Sequence, residues 1–223
     1  MKKKIKEGQP VAASLDLYDA FLAGTSPDRL QKILARYELF KMVVQIPGDI
    51  VECGVFKGSG IYTFAKLQKL FMPHNEKKIV GFDFFETNRQ MAFAKKKDKE
   101  VLDEHADNWA SRETILARLA GMDIHNVELV AGNVVETTRL YAKKNLGFRI
   151  SLLYVDVDNY EGTLAILKNL FPLVVPGGLV VFDEYALRGY GESDAVDEYF
   201  KGQHVELKAL AWANTPSAYI VKP

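Results

Sequence analysis

The 223-residue sequence contains one cysteine, Cys53. No disulfide can close within the chain, so a small secreted scaffold held by crosslinks is excluded. There is no surplus of charge either: 29 Lys and Arg stand against 29 Asp and Glu, a formal net of zero. A dedicated nucleic-acid binder needs a basic excess to meet phosphates, so no nucleic-acid partner is expected. Long apolar runs are missing. The most apolar stretch, Leu170 to Phe182, is interrupted by Pro172, Pro176, Gly177 and Gly178, whereas a membrane span needs about 20 uninterrupted apolar residues. His74, His105, His125 and His204 show no zinc-type pairing with one another or with Cys53. The opening MKKKIKEGQP is basic but no apolar core follows it, unlike a secretory signal. A cytoplasmic, soluble protein without a membrane partner is the expectation.

What is present is an ordinary globular composition, 48% hydrophobic and 26% charged, in a length that suits a single domain over 1–223 with an N-terminal extension at 1–25. Ser26-Pro27-Asp28 reads as a helix start, with Leu30, Ile33, Leu34, Tyr37, Lys41 and Val44 on one face. Pro47-Gly48 ends that helix. Apolar runs then follow at Asp49–Val55, Ile79–Asp83, Val127–Ala131, Leu152–Asp156 and Leu179–Asp183, alternating with helical patterns near 59–72, 111–121, 134–145 and 160–174. Strands of near-continuous Val, Ile, Leu and Phe bury both faces, which requires a parallel sheet covered by helices. Val205–Trp212 and Ala218–Val221 are joined by too few residues for a crossover, so they should form an antiparallel hairpin. The predicted fold is α/β, a doubly wound, mostly parallel seven-stranded sheet with that C-terminal hairpin. The charged segment 84–110 is the one large excursion, read as a lid.

In a doubly wound sheet, ligands bind at the carboxyl ends of the strands, and the informative motifs all fall there. DIVECGVFKGSG (49–60) runs a strand into Gly54, Gly58 and Gly60, where the backbone can approach a ligand closely. The spacing G-x-x-x-G-x-G is not the dinucleotide G-x-G-x-x-G, and acidic Glu52 ahead of it suits a cationic, phosphate-free ligand such as a sulfonium bearing an amino-acid tail. Asp83 ends the next strand, where a carboxylate can accept ribose hydroxyls. Gly132 and Asn133 end the third, where small residues admit a flat base. SLLYVDVDNYEGT (151–163) and PGGLVVFDEY (176–185) deliver Asp156, Asp158, Asp183 and Glu184 from two buried strands. Carboxylates do not cluster without a cation, because repulsion raises their pKa values, and hard oxygen ligands favour Mg²⁺ or a similar divalent ion over zinc.

These motifs, together with GESDAVDEYF, make the chain resemble the macrocin O-methyltransferase family of class I S-adenosylmethionine-dependent methyltransferases over roughly residues 26 to 222. The resemblance implies methylation of sugar hydroxyls in natural-product or nucleotide-sugar pathways. It implies a donor site made of Glu52, Gly54, Val55, Phe56, Gly58, Asp83, Gly132, Asn133 and Asp156. Matched to the family pattern L-D-G-D-x-Y-x-S-T and the later D-D-Y, it gives Asp156, Asp183 and Glu184 as metal ligands, and Asp156 or Asp158 as the group that takes the acceptor proton. The chain departs from that pattern at Val157, Gly162 and Glu184. The alternatives are a catechol or amine acceptor, or a donor-binding regulatory protein without turnover. Tyr160, Trp109, His105 and Arg188 are candidate rim residues, Phe56 and Lys57 loop-lining ones, and Cys53 a small core residue. The N-terminal helix offers a face for a homo-oligomer.

Overall fold

Each apolar run that ends in an acid or a glycine becomes a strand, and each amphipathic segment between two of them becomes the helix that carries the chain back. The computed structural model describes residues 11–75, 77–85, 93, 96–104 and 109–223. The strands are β1 Asp49–Cys53, β2 Ile79–Asp83, β3 Val127–Ala131, β4 Ile150–Val155, β5 Val174–Phe182 and β6 Ala218–Val221. The helices are α1 Val11–Gly24, α2 Pro27–Val43, α3 Ser59–Phe71, α4 Lys96–Glu104, α5 Arg112–Gly121, α6 Val134–Lys144, α7 Tyr160–Leu170 and α8 Glu192–Tyr199. The sheet runs in the order β3-β2-β1-β4-β5-β6. Every pair is parallel except β5 with β6, whose register sets Leu179 against Val221 and Phe182 against Ala218. The chain reverses its direction of travel between β1 and β4, and that is where a crevice opens at the carboxyl ends of the strands.

Both faces of the sheet are covered, as the uninterrupted apolar strands require. On one side Val51, Val80, Phe82, Leu153, Val155 and Phe182 pack with residues of α6, α7 and α8. On the other, Ile50, Ile79, Leu152, Tyr154 and Val181 pack with residues of α2, α3 and α5. Cys53 is fully buried on the first of these sides, with Val51 and Val155. Among the described residues, three helices carry side-chain caps: Ser111 accepts from the Thr114 N–H at the start of α5, Asn133 from the Val135 N–H at α6, and Asn159 from the Gly162 N–H at α7. No described helix is long and apolar enough to cross a membrane.

Two expectations are corrected. Among the described residues the sheet has six strands, not seven. The segment 205–212 pairs with β6 through the single bridge of Lys208 with Tyr219, two hydrogen bonds of 2.8 Å. Beyond it the chain turns away at Leu210–Ala213 and is taken up by α2, where the Gln31 side chain bonds the Trp212 carbonyl and the Asn214 N–H. The second correction concerns α2. Its buried residues are Ala35, Arg36, Leu39, Phe40 and Val43, whereas Leu30 and Leu34 of the expected face are 38% and 46% exposed. Much of α1 is uncovered as well, with Leu15, Leu17, Tyr18, Phe21 and Leu22 exposed. Part of the segment read as a lid (86–92, 94–95 and 105–108) lies outside the described residues.

The crevice depends on one close approach. Gly54 has φ +93°, and a Cβ there would stand 1.6 Å from the Asp156 carbonyl oxygen. Only glycine lets the turn after β1 lie against the end of β4. Gly54→Ala should therefore cost about 3 kcal/mol or more of stability in urea denaturation. Gly147→Ala, also at positive φ (+80°) but with open space around it, should cost only about 1 kcal/mol. Equal costs would contradict the close-approach account.

Candidate active site

The tips of β1, β4 and β5 surround a cleft of about 280 Å³, whose wall includes Glu52, Gly54, Val55, Phe56, Asp83, Asp156, Asp158 and Glu184. Strand geometry puts Asp156 just past the end of β4 and Asp183 and Glu184 just past β5. Asp158 sits at a corner with φ +61°, a left-handed turn that aspartate tolerates better than most residues. Carboxylate oxygens of Asp156, Asp158 and Glu184 lie within 4.8 Å of one another. Asp183 turns elsewhere: its Oδ1 accepts from the Tyr154 hydroxyl at 2.5 Å and its Oδ2 from Lys32 Nζ at 2.7 Å.

Two cations from α2 meet these acids. Lys32 Nζ is also 3.3 Å from Asp156 Oδ2. Arg36, buried, stands 3.3 Å from Glu52 Oε1 and 3.9 Å from Asp156 Oδ2, with its guanidinium 5.0 Å above the Tyr154 ring. Among the described residues they do not balance the site. Glu192, at the start of α8, is fully buried and accepts from the Glu184 N–H at 2.9 Å. The second carboxylate oxygens of Glu52, Glu184 and Glu192 are buried without a hydrogen-bond partner among the described residues, which is costly unless a ligand completes them.

The protonation equilibria follow from this crowding. Burial, then the charge of Asp183, pushes Asp156 up to about 8 against the pull of Lys32 and Arg36. Burial and the charges of Asp156 and Asp183 push Glu184 well above the carboxylate range. Burial raises Glu52 to about 7 although Arg36 and Lys32 oppose it. Asp183 moves the other way: burial works against its charge, but Lys32 and the hydrogen bonds it accepts outweigh that. Lys32 is held charged above its ordinary range, because Asp156 and Asp183 outweigh its desolvation.

The glycine loop is tied to β2 by Asp83. Its Oδ2 accepts from the Val55 and Phe56 N–H groups, both at 2.7 Å, and its Oδ1 from the Phe84 N–H at 2.6 Å. Gly60 makes room beneath, since a Cβ there would fall 1.7 Å from Glu52 Oε1. Phe56 and Trp109 meet edge to face with centroids 5.6 Å apart and form an apolar wall.

A family model for macrocin O-methyltransferases matches residues 22–219. The chain belongs to the macrocin O-methyltransferase family. An 8-demethyl-8-(2,3-dimethoxy-alpha-L-rhamnosyl)-tetracenomycin-C 4'-O-methyltransferase of Streptomyces olivaceus is 31% identical over 192 residues, 78% of this chain and 68% of that protein. The demethyldecarbamoylnovobiocin O-methyltransferase of Streptomyces niveus is 26% identical over 69% of this chain, which spans 58% of that relative's length. Among solved structures, a TDP-rhamnose 3'-O-methyltransferase of calicheamicin biosynthesis superposes with a TM-score of 0.72 at 29% identity, covering 96% of this chain and 88% of that one. The mostly parallel sheet with an antiparallel C-terminal edge is that of the class I methyltransferases.

Placed on this member of the family, the residues expected from the sequence divide. Glu52, Gly54, Val55, Phe56, Asp83, Asp156, Asp158 and Glu184 line the cleft; Gly58, Gly132, Asn133 and Asp183 are not among its lining residues. Gly58 packs against Tyr62 and Ile115, and Asn133 caps α6. Of the rim residues, Trp109 lines the cleft, Tyr160 bonds Glu198, Arg188 is exposed, and His105 lies outside the described residues. Sequence reading missed Lys32 and Arg36. Their signal was a second stripe on the same helix, Ala35, Leu39, Phe40 and Val43, which continues the face those two cations begin.

Asp83 gives a direct test of how the loop is held. Removing its carboxylate takes away an acceptor from three backbone N–H groups, two of them on the loop. Asp83→Ala should lower stability by about 3 kcal/mol or more in urea denaturation; a loss below about 1 kcal/mol would show that the loop does not depend on it.

Proposed function

We propose that the protein is an S-adenosylmethionine-dependent O-methyltransferase, assisted by a divalent cation such as Mg²⁺, that methylates a hydroxyl of a sugar, nucleotide sugar or glycosylated natural product. The observation that carries this reading is the convergence of Asp156, Asp158 and Glu184 in the wall of the cleft that the glycine loop also lines. The O-methyltransferase relatives, two of them named for rhamnose-bearing substrates, support the acceptor class.

The residues fit both groups. Glu52 keeps one buried carboxylate oxygen without a partner, an acceptor for the ammonium of the donor's amino-acid tail. Asp83 lines the same cleft, and a carboxylate has lone pairs on both oxygens to offer a ribose hydroxyl beside the loop N–H groups. Asp156, Asp158 and Glu184 would hold the ion; Glu184 too has an unpartnered buried oxygen. When bound, the ion neutralises these acids and lowers the pKa of a hydroxyl coordinated to it.

The reaction is an in-line displacement. The acceptor oxygen forms a bond to the methyl carbon, the carbon–sulfur bond breaks, and its electron pair stays on the sulfur. Asp156 or Asp158, both in the cleft wall, takes the hydroxyl proton. Phe56, Val101 and Trp109 exclude water from one side, and holding both reactants in line supplies much of the acceleration.

With TDP-rhamnose as the first acceptor assayed, Asp156→Asn should lower methyl transfer by about 10³-fold. The affinity for S-adenosylhomocysteine, measured by calorimetry, should stay within about threefold of the wild type, a shift below 0.7 kcal/mol. Loss of product binding in step with activity would place Asp156 in the donor site instead of the metal site.

A further inference from the structure

Lys32 is on the one face of α2 that reaches the strand tips. Its ammonium bridges Asp183 Oδ2 at 2.7 Å and Asp156 Oδ2 at 3.3 Å, and it lines the cleft. One turn further along α2, Arg36 takes Glu52, and beyond that the face is apolar, through Leu39, Phe40 and Val43. The helix therefore has an anchor that does not need Lys32. What Lys32 does instead is divide the acids. Asp183 is occupied on both oxygens, by Tyr154 and Lys32, and is not part of the carboxylate triplet. Asp156 is in that triplet and is also touched by the ammonium.

We propose that Lys32 is an internal cation that competes with the divalent ion for Asp156, so that this one side chain sets how tightly the active site takes its metal. The inference rests on the metal-assisted reading above. A fixed positive charge beside a ligand of the ion repels the ion through a medium far less polarisable than water. An ion entering the wild-type site must displace the ammonium from Asp156 or share that oxygen with it. Without Lys32, Asp156 keeps the longer contact with Arg36 at 3.9 Å, and Asp183 keeps the Tyr154 hydroxyl.

The test is a Mn²⁺ titration of the full chain saturated with S-adenosylhomocysteine, with free Mn²⁺ read by electron paramagnetic resonance. Lys32→Met should bind Mn²⁺ at least about tenfold more tightly than the wild type. Lys32→Arg, which keeps the charge, should stay within about threefold. Product affinity on the same samples reports whether each variant is folded; Lys32→Gln, which removes the charge but keeps a hydrogen-bond donor, must show the same tightening and serves should the methionine variant not fold. Wild-type Mn²⁺ binding with equal or weaker binding by the charge-removing variants would overturn the proposal and leave the metal reading standing. If no protein binds Mn²⁺ while all bind product, both fall together.

Discussion

Asp156, Asp158, Asp183 and Glu184 leave the tips of two adjacent parallel strands, with Glu192 buried directly behind them. Like charges brought this close in a poorly solvated place raise one another's pKa values, or draw in cations, or both. Here both happen. Lys32 and Arg36 reach in from α2, yet Asp156, Glu184 and Glu192 are still pushed toward their protonated forms. Among the described residues the acids outnumber the cations that reach them, and an acid-rich cleft of this kind suits a divalent ion.

The same constraint explains how the sheet and the helix are coupled. A buried acidic cluster would destabilise the strand tips if α2 were absent, so the N-terminal half of that helix serves electrostatics and its C-terminal half serves packing. Tyr154 joins the two roles. Its ring lies in the core against Phe64 and beneath Arg36, while its hydroxyl donates to Asp183. On the other side of the crevice, Asp83 does for the glycine loop what Lys32 does for Asp183: it fixes a flexible or repelled group by a short, charge-assisted bond.

Much of this was legible in the sequence because parallel strands announce themselves as apolar runs, and their ends as the acids and glycines that follow. Ile79–Asp83 and Val127–Ala131 are strands over the expected residues. The hairpin was legible only in its antiparallel sense, realised at the Lys208–Tyr219 bridge, because an alternating pattern such as Val205–Trp212 shows which residues face inward but not where the chain leaves the sheet; beyond the bridge it bonds Gln31, far away in sequence. The buried face of α2 was misplaced for a related reason. Two stripes on that helix have helical spacing, and the buried one begins with a lysine and an arginine, residues that hydropathy assigns to solvent. Their burial makes sense only once the acids of β1, β4 and β5 are seen opposite them. Likewise, sequence alone could pair Asp183 with Glu184 but not show that Tyr154 and Lys32 also bond Asp183.

The central claim is that the strand-tip acids form a divalent-cation site beside a methyl donor. Anomalous scattering from crystals grown with S-adenosylhomocysteine and Mn²⁺ tests it most directly. The account predicts one manganese peak bounded by Asp156, Asp158 and Glu184, next to the product's sulfur. Clear density for the product with no manganese among those three carboxylates would contradict it.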